Sequence, residues 1–298
     1  MATIQLHHDQ APKLLPSLMR AVFNSRPGFS KKTGLPEIEA TWESAKIDRA
    51  NFKAYLDCCG LKDDGYLPLL YPHVMASKMH LDTLTNAAFP IKLLGTVHFR
   101  NHIIQHRKIK LDEVLDMSMK ITESRVMEKG LEFDFTTLIT AEKQRVWESI
   151  STYYVRGKFG DEDAPSPLAE MDKLSNAPEV ANWLVKSNMG KRYAKITGDY
   201  NPIHISSLLA KIFGFKRDLI HAFCVLATTL HHLPNPAADR PVRLDVAFKG
   251  PTYLGSKVSL KNQSSDLGER FDLFCADNDR PSISGKLMTV DEGERLFE

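Results

Sequence analysis

The sequence predicts an α+β fold built from two copies of one unit, each a curved antiparallel sheet wrapped around a long buried helix. Three observations carry this expectation. Helical and strand-like periodicities follow one another in the same order twice along the chain. Short strings recur in the same order: Ala40-Thr41-Trp42 with Ala181-Asn182-Trp183, Pro72-His73-Val74-Met75 with Ile220-His221-Ala222-Phe223, and Val97-His98-Phe99-Arg100 with Val246-Ala247-Phe248-Lys249, at offsets of 141, 148 and 149 residues. Each match is weak alone, but three in one order at similar offsets indicate an internal duplication. Finally, the stretch 219–232 is apolar on most sides, as a helix covered by a sheet should be.

The elements follow in order. Residues 12–25 place Leu14, Leu15, Leu18, Met19, Val22 and Phe23 among basic groups, the pattern of a short amphipathic helix ended by Pro27-Gly28. Residues 37–47 have strand character around Ile38, Ala40 and Trp42. Asp48 is a fitting N-cap for a helix to about Cys59, with Gly60 just past its end. A second, mostly apolar helix covers about 73–84. Four strands are expected at about 93–102, 111–123, 131–140 and 145–156, where Val97/Phe99, Met117/Met119/Ile121 and Phe133/Phe135 alternate with period two. Residues 157–178, rich in Asp, Pro, Ser and Gly, read as a linker between an N-terminal repeat at 1–156 and a C-terminal repeat at 179–298. The second repeat is expected to have a strand at 180–185, a helix to about Thr197, a short helix at 206–212, the apolar helix at 219–232, and strands at 242–250, 256–264, 269–276 and 282–290.

Composition narrows the function. An apolar content of 43%, a charged content of 26% and a formal charge of +2 describe a globular chain with no general attraction to nucleic acid or to membrane surfaces. No apolar run approaches the roughly 18 residues that span a bilayer. The polar start, with His7 and His8, lacks the layout of a signal peptide, and Arg295-Leu296-Phe297-Glu298 is no targeting tripeptide. The four cysteines, Cys58, Cys59, Cys224 and Cys275, form no C-x-x-C pair and no zinc-spaced cluster. A reduced, cytoplasmic, metal-free protein is the simplest expectation.

The chemistry concentrates in Ile196-Thr197-Gly198-Asp199-Tyr200-Asn201-Pro202-Ile203-His204. A carboxylate and an imidazole stand five residues apart around an Asn-Pro turn, and 17 residues after His204 the apolar helix begins near His221. Such a pair suits acid/base work, because an imidazole titrates near neutrality. Gly-Asp before a turn is also a common helix cap, and that is the default reading of Asp199 alone. His221 is expected to be structural, since His73 holds the same place in the other repeat. His98, His102 and His106 have i, i+4, i+8 spacing, but they lie on a strand and loop with no acidic residue nearby in sequence. They are expected to be solvated or interface histidines and not metal ligands.

At Gly198-Asp199-x-Asn201-Pro202-x-His204, with Tyr193 and Ile196 upstream and Ile220-His221-Ala222 downstream, the chain resembles the MaoC-like dehydratases, also called (R)-specific enoyl-CoA hydratases or hydratase 2. Tyr71-Pro72-His73-Val74 and Leu93-Leu94-Gly95-Thr96-Val97-His98 resemble strings of two-repeat members, in which a degenerate hot-dog domain precedes a catalytic one. The resemblance covers nearly the whole chain. It implies a double hot-dog, a pseudo-dimer in one chain, that reversibly hydrates trans-2-enoyl thioesters to (3R)-3-hydroxyacyl thioesters in fatty acid metabolism. It implies that Asp199 and His204 activate the water, that the Ala222 backbone N–H stabilises the enolate oxygen, and that Gly198, Asn201 and Pro202 orient the site. The family usually has Gly where this chain has Ala222; alanine still supplies an N–H. Thr228 and Thr229 are loose candidates for the hydroxyl the family often has further along that helix. No cofactor is implied beyond the CoA or phosphopantetheine arm of an acyl-CoA or acyl-carrier-protein substrate. Lys211, Lys216 and Arg217 could meet its phosphates or form a plain solvated loop. A monomer and a homodimer both remain open.

The first repeat has Gly60-Leu61 where Gly198-Asp199 stands in the second, and Tyr66 five residues after Leu61. One active site per chain is therefore expected, with the first repeat contributing space for the acyl tail. Two other readings remain beside the hydratase: a hot-dog thioesterase, and a non-catalytic acyl-thioester-binding or interaction module.

Overall fold

The computed structural model describes residues 3–12, 26–93, 95–161, 171–234, 240–276 and 278–298. The helix expected at 12–25 and the middle of the expected linker lie outside the described residues.

The first repeat contributes β1 (Ile4–His8), β2 (Ile38–Ala45), α1 (Arg49–Cys59), α2 (Tyr71–Thr85), β3 (Thr96–Gln105), β4 (Leu115–Met127), β5 (Gly130–Ala141) and β6 (Gln144–Arg156). The second contributes β7 (Glu179–Leu184), α3 (Met189–Thr197), α4 (Pro202–Ile205), α5 (Ser207–Ile212), α6 (Ala222–His231), β8 (Val242–Phe248), β9 (Lys257–Ser265), β10 (Gly268–Cys275) and β11 (Ile283–Thr289). Asp48 caps α1 as its position predicts, its carboxylate accepting from the N–H groups of Ala50 and Asn51 at 3.0 Å. Gly60 closes the same helix at φ 71°, where a side chain would be strained.

All the strands among the described residues join one sheet of 11, in the order β1-β2-β4-β5-β6-β3-β8-β11-β10-β9-β7. The order reads the same from either side of the β3–β8 seam once β1 is set aside. Each repeat is thus one curved antiparallel sheet, and the two meet edge to edge, from Arg100 opposite Ala247 to Gln105 opposite Val242. The seam pairs backbone that an isolated repeat would leave as an open edge. His102 and His106, expected to lack acidic partners, have them: His102 Nδ1 lies 2.6 Å from Asp245 across the seam, and His106 Nε2 lies 3.2 Å from Glu148. These carboxylates are distant in sequence and arrive only through strand pairing.

One core cluster includes both repeats. Helix α2 is buried on nearly all sides, and α6 buries Phe223, Cys224, Val225, Leu226, Ala227 and Thr229. The helices also tie the repeats together. Asn51 on α1 donates to the carbonyl of Ile196 at 2.9 Å, Thr228 on α6 donates to the carbonyl of Cys59 at 3.0 Å, and the thiols of Cys58 and Cys59 each lie 4.0 Å from that of Cys224.

Strand β1 was not expected. It pairs parallel to β2, from Ile4 opposite Ile38 to His8 opposite Trp42. Its apolar residues Ile4 and Leu6 alternate with Gln5 and His7, a period-two signal that the polar surroundings hid. The apolar helix begins at Ala222 and not at 219, because Leu219 and Ile220 are extended and bond to Ile203 and Thr252.

Candidate active site

Helix α3 ends on Gly198, whose φ of 78° turns the chain and whose N–H closes onto the carbonyl of Ala194 at 2.7 Å. The next residue is Asp199. Its Oδ1 accepts from the backbone N–H of Asn201 at 3.1 Å, and its own N–H donates to Thr197 Oγ1 at 3.2 Å. With Oδ1 held by this Asx turn, Oδ2 faces inward. Asn201 bonds locally to Asp199 through its backbone N–H, while its side-chain oxygen accepts from the N–H of Ile203 at 3.4 Å and caps α4. Pro202 stands in the first turn of α4, where its missing N–H costs nothing.

His204, two residues into α4, has Nδ1 at 3.1 Å from the Leu219 carbonyl. That contact assigns the proton to Nδ1 and leaves the lone pair on Nε2, which points at Asp199 Oδ2 across 3.8 Å. The separation exceeds a hydrogen bond, and both atoms facing it are acceptors. One water, with two hydrogens, fits that need. Burial pulls the His204 pKa below its usual value, against the opposing influence of Asp199 and the Leu219 carbonyl, so the imidazole is neutral at neutral pH.

His221 stacks on His204 with ring centroids 3.8 Å apart, and its Nε2 donates to the Asp199 carbonyl at 2.9 Å. It thus pairs with backbone, as its position predicts. Burial and the neighbouring His204 drive its pKa down to about 3. Asp199, His204 and His221 form the one group among the described residues whose ligand atoms could surround a metal ion, lying within 4.8 Å of one another. The hydrogen bonds argue against that use. The proton on His221 Nε2 is committed to a carbonyl, so only Asp199 and His204 turn lone pairs into the gap.

Ala222 opens α6. As the first helical residue its N–H has no carbonyl within the helix to reach, and the helix dipole adds positive character there. Asp199, His204, His221 and Ala222 line one cavity of about 350 Å³. The first repeat adds His73, Ser77, His80, Leu81 and Leu84 of α2, residues of β3, and Tyr153 of β6 to a wall that the second repeat also lines, from Phe215 to Phe223 and from Phe248 to Thr252. The site is therefore built by the turn of one repeat against the central helix of the other. Thr228 and Thr229 take no part; their hydroxyls donate to the carbonyls of Cys59 and Val225. Lys211, Lys216 and Arg217 are exposed on and after α5.

Sequence reasoning missed Gly190. A Cβ there would stand 2.1 Å from the carbonyl oxygen of His204, so only glycine lets α3 pass this close to α4. A glycine inside the first turn of an amphipathic helix was the available signal.

The sequence profile of the MaoC like domain matches residues 174–279. The chain carries a MaoC-like domain. This domain contains the whole turn and the start of α6. Over 257 residues the chain is 28% identical to 3-hydroxyacyl-thioester dehydratase X of Mycobacterium tuberculosis, covering 86% of this chain and 91% of that protein. A crystal structure of HtdX from the same organism superposes with a TM-score of 0.72 at 25% identity, covering 85% of this chain and all of that one. A conserved hypothetical protein of M. tuberculosis described as a double hot-dog fold matches with a TM-score of 0.54 at 12% identity, over 84% of this chain and 95% of that one, which bears on the fold alone. The chain is a double hot-dog of the α+β class, as its sequence predicts. Among its described residues no helix is long and apolar enough to cross a membrane.

Proposed function

We propose that this protein is a hydro-lyase that reversibly adds water to trans-2-enoyl thioesters to give (3R)-3-hydroxyacyl thioesters. The observation that carries the reading is the convergence of Asp199 Oδ2 and His204 Nε2, 3.8 Å apart, beside the N-terminus of α6 in one cavity. The similarity to a 3-hydroxyacyl-thioester dehydratase along most of both chains supports it.

In this reading the two acceptors hold one water with its oxygen aimed at C3. Asp199 takes a proton as the oxygen bonds to C3, and the C2=C3 electrons move toward the thioester carbonyl. The Ala222 N–H, aided by the helix dipole, stabilises the enolate oxygen that develops. The same proton passes from Asp199 to C2, so the net change is addition of H and OH from one water. Neutral His204 orients the water throughout. Gly198, Asn201 and Pro202 hold the turn by the cap, the backbone N–H and the helix start described above.

The substrate is an acyl-CoA or an acyl-carrier-protein thioester, and its arm is the sole cofactor group. The chemistry draws on no metal, so dialysis against a chelator leaves the hydration rate unchanged. A series of trans-2-enoyl-CoA substrates of increasing chain length, followed by loss of the enone absorbance, tests the reading. Hydration of at least part of the series is expected. Wild-type protein that hydrates no enoyl thioester overturns it, and release of free thiol would favour a thioesterase.

A further inference from the structure

The cavity opens to water at Asp199, whose side chain is 48% exposed while those of His204 and His221 are 12% and 6% exposed. The chain beside that opening exposes apolar side chains. Tyr200, Leu208, Leu209, Ile212 and Phe213 make up more than half of the large apolar side chains exposed among the described residues. Leu208 and Ile212, each 72% exposed, stand four residues apart on α5 and so share one face. The other side of α5 is anchored. Ala210 is buried with Ile203 and Leu219, and Phe215 packs against that cluster and lines the cavity. Helix α5 therefore sits at the rim of the cavity with an apolar face turned to solvent.

The same stretch is basic. From Lys191 to Arg217 there are six Lys or Arg residues and one carboxylate, Asp199, in a chain whose 39 basic and 37 acidic residues otherwise nearly cancel. Lys211, Lys216 and Arg217 are all exposed. Arg217 lies 3.4 Å from Asp218, and Lys211 and Lys216 have no carboxylate partner among the described residues. An apolar patch rimmed by charge of one sign marks a docking surface for a partner of the other sign. A second copy of the chain fits poorly, because a twofold contact centred on α5 sets cation against cation. CoA answers the cations through its phosphates and leaves Leu208 and Ile212 in water. An acidic protein with an apolar stripe covers both.

We propose that α5 and the loop to Arg217 are the docking surface for a small acidic carrier protein, which delivers the enoyl group on its own phosphopantetheine arm through the opening at Asp199. The inference rests on the enoyl-thioester reading of the cavity and selects a carrier protein over CoA as the bearer of the chain.

Binding to the full chain, read by calorimetry, separates docking from turnover. The ligands are octanoyl-CoA and the octanoyl thioester of an acidic acyl carrier protein. Wild type should bind the carrier-borne chain about tenfold more tightly, and the difference should shrink as salt screens the exposed charges. Lys211→Glu and Ile212→Ser should each weaken carrier-protein binding by about tenfold, and Ile212→Ser should leave octanoyl-CoA binding within about twofold. Both side chains are exposed, and thermal unfolding checks that the variants fold. Equal affinity of wild type for the two ligands overturns the proposal, as does an Ile212→Ser variant that keeps its affinity for the carrier protein. Phosphatidylglycerol vesicles that sediment wild type but not Ile212→Ser, with no preference for the carrier-borne chain, assign the patch to a membrane surface and overturn it as well. Hydration of trans-2-octenoyl-CoA is read separately. A protein that docks the carrier without hydrating loses the reaction and keeps the surface, and one that hydrates without docking does the reverse.

Discussion

The two repeats build two cavities by the same exchange of parts, and only one of them is lined by Asp199 and His204. In the first, the turn of the second repeat faces α2 of the first, and Asp199 and His204 meet at its mouth. In the second, Leu61 and Tyr66 of the first repeat face Ala227, Leu230 and His231 of α6, in a space of about 430 Å³. The two share no lining residue. The fold therefore keeps the space without the acid/base pair, and the pair is not something the fold requires. The cavity beside Leu61 and Tyr66 lies against α6 and is separate from the space that continues from Asp199 along α2.

The largest effect should come from breaking the pair itself. Asp199→Asn and His204→Ala should each lower kcat/KM for enoyl-CoA hydration by about 10²–10⁴-fold, the usual worth of a positioned acid/base group. A loss under tenfold in either variant would remove that residue from the chemistry.

Gly190 sharpens the comparison next. Counting back from Gly60 as the equivalent of Gly198, the first repeat has Phe52 at this place, packed edge-on against Tyr71 at 5.1 Å. A phenylalanine fits there because no catalytic turn crosses the helix. Gly190→Ala should destabilise the chain by about 1–3 kcal/mol, the cost of overpacking, and should cut hydration by displacing His204. Thermal unfolding and kinetics together would show it; unchanged values in both would mean that α4 shifts freely.

Acid should act through the buried histidines. Burial holds His73 well below its ordinary pKa and His80, His98 and His221 at about 3. The unfolded chain binds their protons from about pH 6.5 downward while the folded chain does not, so stability is present above that pH and is lost as pH falls. Each imidazole contributes about 1.4 kcal/mol per pH unit in this window. Chemical denaturation between pH 7 and 5 should show this slope, and a flat profile would mean that these rings are solvated. His204, depressed in the same direction, places the acid limb of hydration below the usual histidine range.

The smallest effect should come from the second cavity. Leu230→Trp would fill part of it, and hydration should stay within about twofold of wild type while Asp199 variants lose orders of magnitude. A large loss would show that the two cavities communicate.

Much of this was legible in the residues. Asp48 and Gly60 marked α1 because caps act locally, and the strands announced themselves by period-two alternation. The five-residue spacing of Asp199 and His204 placed both on one turn. Other features had no local signal. Nothing near His102 or His106 pointed to Asp245 or Glu148, and nothing near Asp199 showed that Asn201's backbone, not its side chain, would hold the carboxylate. Leu219's carbonyl, which sets the His204 tautomer, lies 15 residues from that ring.

The sequence by itself determined the duplication, the order of elements and the residue types of the turn, because caps, periodicity and short spacings depend on neighbours along the chain. Only the tertiary structure decided that the turn of one repeat would face the helix of the other and that His73 of the first would stack on Phe223 of the second. Those contacts arise from the edge-to-edge seam of two sheets, and no stretch of local sequence contains both sides of it.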